Sequence, residues 1–88
     1  MILSEILEHL EDYSHCLEET KRLAKTRVVA NVPVNMPIPI HYHPAWTAED
    51  CYRIFSQLGR VDFVFPIFWI REKDLEHAFH GVVVDVED

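Results

Sequence analysis

Histidine is the residue type with the widest chemical scope in this chain, and four of its six copies fall into two ligand-like pairs. His41 and His43 flank Tyr42 in an extended, proline-rich segment, so both imidazoles are expected on one side of the backbone. His77 and His80 are three residues apart, a spacing that shares a face on a helical turn. Two such pairs, brought together, would make a four-imidazole site, or three imidazoles and a water, for zinc or another divalent ion. A hydrolytic or metal-sensing role would follow. Neither spacing is specific, however, and solvated loop and turn histidines produce the same pattern without metal.

Other chemistry is scarce. Gly59 and Gly81 are the only glycines, which excludes a P-loop, a dinucleotide-binding turn and a G-x-S-x-G elbow, since each needs residues without a Cβ where backbone meets phosphate or turns sharply. There is no C-x-x-C and no H-E-x-x-H. Arg71 and His77 form an R-x5-H pattern found in some small ribonucleases, but those carry it at a helix end in an all-helical bundle, whereas here it follows an expected strand. Ser14-His15 and the scattered carboxylates support no nucleophile–base pair. The expectation is a protein that is not an enzyme and needs no cofactor.

Charge is the second informative feature. The net charge is −7, and Glu5, Glu8, Glu11, Asp12, Glu18 and Glu19 all precede the first Lys or Arg. Lys21, Arg22, Lys25 and Arg27 then form a short basic patch, and Asp85–Asp88 adds further acids. Direct binding to nucleic acid needs clustered positive charge and is disfavoured. An acidic face suits a protein partner with a basic surface, including one that ordinarily holds nucleic acid; a solvated helix face explains the same acids. With the six acids, Tyr42 and Trp46 make up the candidate partner-binding set, because aromatic anchors ringed by charge suit an interface.

The elements that must position these residues follow from periodicity. Ile2–Lys25 reads as a helix, with Leu3, Ile6, Leu10, Tyr13, Leu17, Thr20 and Ala24 on one stripe, Ser4 as N-cap, and a Glu18–Arg22 pair. Thr26–Val34 alternates as a strand with Val28, Ala30, Val32 and Val34 on its covered face. Asn35–Trp46 is a stiff connection, because Pro37, Pro39 and Pro44 hold their neighbours extended. Thr47–Leu58 is a second helix, opened by a Thr47/Asp50 capping box and preceded by Trp46 as a staple on Cys51. Cys51, Ile54, Phe55 and Leu58 form its buried stripe, a Glu49–Arg53 pair lies outside, and Gly59 stands where a left-handed C-terminal residue is expected.

Val61–Ile70 is the most apolar run. Phe63, Phe65, Ile67 and Trp69 share one face and Val64, Pro66, Phe68 and Ile70 the other, so it is buried on both sides or offers a face to another chain. Pro66 implies an edge position, a bulge or a break. Arg71–His80, with Leu75 and Phe79 at i,i+4, reads as one or two helical turns ended by Gly81, before a last strand over Val82–Val86.

Two cysteines on apolar helix sides, Cys16 and Cys51, read as reduced core filler. A start without a basic n-region and apolar core is unlike a signal peptide. Val28–Ala48 has no Asp, Glu, Lys or Arg, but its four prolines make it no membrane helix. These features favour a cytoplasmic setting.

The expected fold is a single α+β domain over residues 1–88, in the order α-β-α-β-(short α)-β, with a three-stranded, mostly antiparallel sheet packed on two helices. The expected function is a small acidic protein-binding module. Its profile has a likeness of type, without a shared motif, to inhibitors of phage or mobile-element origin (anti-CRISPR and anti-restriction proteins) and to toxin-immunity proteins. The alternatives are the histidine metal site and a homodimer built on the second apolar face of Val61–Ile70.

Overall fold

The computed structural model describes residues 1–71 and 74–86. Four strands form one mixed sheet: β1 (Ile2–Ser4), β2 (Arg27–Pro33), β3 (Arg60–Arg71) and β4 (Asp74–Asp85). Two helices, α1 (Ser14–Leu23) and α2 (Ala48–Phe55), and a 3-10 turn at Leu7–His9 complete the elements. The strand order is β1-β2-β4-β3; β1 runs parallel to β2 and the other neighbours are antiparallel. The class is α+β, as expected, but the sheet has a fourth strand and a different element order.

Both departures concern segments whose apolar spacing is ambiguous. The expected helix Ile2–Lys25 is helical only from Ser14 to Leu23. Upstream, Ile2, Leu3 and Ser4 pair with Val29, Ala30 and Asn31. Ser4 therefore ends a strand instead of capping a helix. Glu5 turns the chain at φ 53°, held by its N–H donating to Asn31 Oδ1 at 2.8 Å. The buried residue after that turn is Leu7, while Ile6 of the expected stripe is exposed. Asp12, two residues before the start of α1, accepts from the Ser14 N–H at 3.0 Å, and its hydrogen bonds with Ser14 keep its carboxyl below its usual range.

Of the expected helical turns over Arg71–His80, Arg71 instead ends β3 and Asp74–His80 belong to β4, with Glu72 and Lys73 outside the described residues. Long-range pairing wins here: β3 pairs with β4 from Asp74 onward and β2 joins from Phe79, and these ladder bonds outweigh an i,i+4 pair. Gly81 lies mid-strand. A Cβ there would overlap the Phe65 ring, which stands opposite in register, so the missing side chain lets that ring lie on the strand. Gly59 likewise does not adopt the expected left-handed conformation; a Cβ there would overlap the Asp85 carbonyl oxygen, so close backbone approach is what requires glycine.

The core is one-sided. Val28, Ala30 and Val32 of β2 and Val82 and Val84 of β4 are buried beneath Leu17 of α1 and Cys51, Ile54 and Phe55 of α2, with Leu3, Leu7, Trp46 and Leu58 at the margins. The alternation read in β2 and the stripe read in α2 both place these residues correctly. Trp46 packs in the core near Phe55, with ring centroids 6.4 Å apart. No helix among the described residues is long and apolar enough to cross a membrane.

The start of α2 is the expected capping box: Asp50 N–H donates to Thr47 Oγ1 at 3.0 Å and Thr47 N–H to Asp50 Oδ2 at 2.9 Å. Thr47→Ala should lower the unfolding free energy by about 1 kcal/mol, read from the urea midpoint at unchanged slope. Cys16 is half-buried and Cys51 buried, and neither is in a disulfide. Burial, reinforced by the Asp50 charge, pushes the Cys51 thiol up to about 12. Because the thiolate is the reacting species, a disulfide reagent at pH 8 should modify Cys51 only as fast as the domain opens. A Cys16→Ser variant isolates that rate.

Candidate functional site

The sheet face opposite the helices is open and apolar. Alternation places Val29 of β2, Val83 of β4 and Phe63 of β3 on this side, and β1 extends the row with Ile2. The register aligns the four directly: Ile2 with Val29, Val29 with Val83, and Val83 with Phe63. Ile2 is 73% exposed and Phe63 64%, so no described element covers the row. Phe65 over Gly81 continues the surface, followed by Ile67 opposite Phe79 and by Trp69.

Polar contacts frame this strip at both ends. Arg60 donates to Asp62 Oδ1 at 2.7 Å and Asp85 Oδ2 at 2.9 Å, closing one end with an ion-pair cluster. At the other end the Trp69 indole N–H donates to Glu76 Oε2 at 2.9 Å, and the ring meets Phe79 edge-on at 5.7 Å. Two irregularities shape the strands: Asp62 bulges in β3, and Ala78 bulges in β4 between the Ile67–Phe79 and Phe68–His77 pairs. Pro66 lies on the edge strand, the position open to a residue without an N–H.

The six acids do not share one helix face. Glu5 lies in the turn after β1, and Glu11 and Asp12 precede α1. Glu18 is exposed on α1, while Glu19 is engaged by Arg22 at 2.6 Å, in place of the expected Glu18–Arg22 pair. Glu8 is fully buried in the 3-10 turn. On α2 the ion pair is Arg53 with Asp50 at 3.1 Å, not with Glu49. Tyr42 is exposed, but Trp46 is 4% exposed and its indole N–H donates to the His43 carbonyl at 2.8 Å. Trp46 therefore offers no surface to a partner: its ring fills the space between Tyr13 and Phe55.

The histidines separate into different environments. His41 meets His9, with ring centroids 4.5 Å apart, and its Nδ1 lies 2.8 Å from the Met36 carbonyl oxygen. His43 turns instead to Tyr13 and Trp46, and its Nε2 lies 3.0 Å from the Glu11 carbonyl oxygen. The expected common orientation of His41 and His43 is thus absent, because the loop bends between them as Tyr42 and His43 both donate backbone N–H groups to the Glu8 carbonyl. His77 and His80 do meet, at 5.0 Å and edge-on. The Ala78 bulge brings them together, not a helical turn. His80 is buried, with Nε2 2.8 Å from the Trp46 carbonyl oxygen.

Two groupings escaped the sequence reading. The open row depends on Ile2 being in a strand, and its only local signal was the bare apolar start of the chain. His9 carries no signal of its pairing in the sequence, because its partner lies 32 residues away, although its adjacency to Glu8 places two ligand-type residues side by side. The chain matches no protein-family model, no curated protein and no solved structure.

Proposed function

We propose that this chain is a non-enzymatic protein-binding module that docks through the open sheet face. The row Ile2–Val29–Val83–Phe63, continued by Phe65, Ile67 and Trp69, is the observation that supports this reading. A contiguous apolar strip framed by polar groups is the usual anatomy of a docking surface, with aromatic side chains as its anchors. The partner would present a complementary apolar strip with a basic rim. A net charge of −7, with Glu5, Glu11, Asp12 and Glu18 exposed, speeds encounter with such a surface and repels nucleic acid. An inhibitor that occupies a basic, polyanion-binding surface fits these properties.

The test compares capture of a protein partner from extracts of the encoding organism by the wild type and by a Val29→Asp/Phe63→Asp variant. The variant's fold is checked by circular dichroism. The expected result is a partner held by the wild type, released by rising salt and lost with the variant. Equal retention by a folded variant overturns the reading.

The absence of charge at the centre of the strip favours a second reading, a face-to-face dimer of this chain. Light scattering separates the two. Twice the 10.4 kDa chain mass for the wild type, falling to monomer mass for the variant, assigns the face to self-association.

A further inference from the structure

We propose that Glu8, His9 and His41 form a three-ligand site for a borderline divalent transition ion, zinc in the first instance. One ligating atom from each residue lies within 4.8 Å of the other two. Proximity alone would be weak ground, since acidic and imidazole groups often cluster without metal. Glu8 supplies the independent observation. Its side chain is fully buried, and no other described residue donates a hydrogen bond to Oε1 or Oε2. A buried carboxylate is rarely left without partners, because removing it from water is costly unless a cation or donors meet it.

A backbone carbonyl meets one ring nitrogen of each imidazole. His9 Nδ1 lies 3.2 Å from the Ile40 carbonyl oxygen, and His41 Nδ1 lies 2.8 Å from that of Met36. A carbonyl only accepts, so each Nδ1 carries the proton and each Nε2 keeps its lone pair. That second hydrogen bond, from ring N–H to a backbone carbonyl, is what fixes tautomer and orientation in metal-ligating histidines. The rings lie at 68° to each other, not stacked face to face.

The scaffold is also preorganised. Glu8 and His9 are neighbours in one 3-10 turn, and the Asn35–Trp46 loop is tied to it by N–H groups of Tyr42 and His43 donating to the Glu8 carbonyl at 2.8 and 3.2 Å. Pro37, Pro39 and Pro44 restrict the rest of that loop.

Two imidazoles and one carboxylate suit zinc and neighbouring transition ions better than calcium or magnesium, which take oxygen ligands. Bonds of about 2.0–2.2 Å around tetrahedral zinc require modest contraction of the cluster. Three protein ligands leave one position of a tetrahedral shell open, and His9 and His41 are half-buried. A water or an external donor would complete the shell.

The test titrates the metal-stripped full chain with zinc by calorimetry and with cobalt(II) as a visible-absorption probe, alongside Glu8→Gln, His9→Ala, His41→Ala and the control His43→Ala. The expected result is one zinc per chain and a raised Tm. Each of the first three substitutions should weaken affinity by at least about tenfold, since even outer partners of metal ligands have effects of that order, and His43→Ala should bind normally. His9→Gln and His41→Gln serve if an alanine variant fails to fold. Wild-type protein that takes up no zinc, or uptake that persists in a folded His9/His41 double variant, overturns the site.

Discussion

Phe55→Ala should lower the free energy of unfolding by about 3–5 kcal/mol, the range for truncating a fully buried phenylalanine. Phe55 is among the largest fully buried side chains, on the inner stripe of α2 against the sheet and beside Trp46. Truncation removes both its transfer free energy and its contacts, because a close-packed core collapses only partly into the space. At about 0.05–0.15 kcal/mol per residue, a domain of 88 residues has about 4–13 kcal/mol in all. The variant should therefore be close to half unfolded at 25 °C at the lower end of that range. Tyr52→Ala is the internal control: on the same helix but half exposed, it should change stability by about 0.5 kcal/mol or less. Equal urea midpoints for the two variants would contradict the placement of α2.

The second large effect concerns Glu8 and depends on pH. Burial raises its carboxyl above the ordinary value of 4.5; its own backbone N–H, His9 and His41 pull it down, and Glu5 pushes it up. In metal-free protein the protonated form is therefore favoured by folding. Its stabilising contribution is complete below the unfolded value and is lost as pH rises through the raised folded value. Glu8→Gln removes this titration, since the amide stays neutral throughout. In chelator, the stability of Glu8→Gln relative to the wild type should improve as pH rises from about 4.5 through the raised folded value. Urea unfolding at several pH values measures the difference directly. Parallel profiles for the two proteins would mean that Glu8 is solvated. Saturating zinc should suppress the wild-type loss, because the ion takes the ionised form.

These two predictions draw on opposite kinds of legibility. Phe55 was readable from spacing: Cys51, Ile54, Phe55 and Leu58 repeat with the helical period after a capping box, and all four are buried. Glu8 was not. In the chain it is one of six early acids, and nothing local distinguishes it from Glu11 or Glu18, which remain exposed. Its burial follows from the strand pairing of Ile2–Ser4, the turn at Glu5 and a loop about 30 residues downstream that closes over the 3-10 turn.

What the amino-acid sequence determined by itself is the local and periodic part: the alternation of β2, the capped start and inner stripe of α2, although that helix ends at Phe55 and not at Leu58, and the apolar alternation of β3. Each is set by neighbouring residues and backbone sterics. Tertiary structure alone decided the rest. Ile2–Ser4 and Asp74–Gly81 became strands because partner strands offered ladder bonds that local propensity does not register. That pairing exposed the row from Ile2 to Phe63, brought His9 to His41, and buried Glu8 beside them; these are contacts between distant residues, which periodicity does not encode.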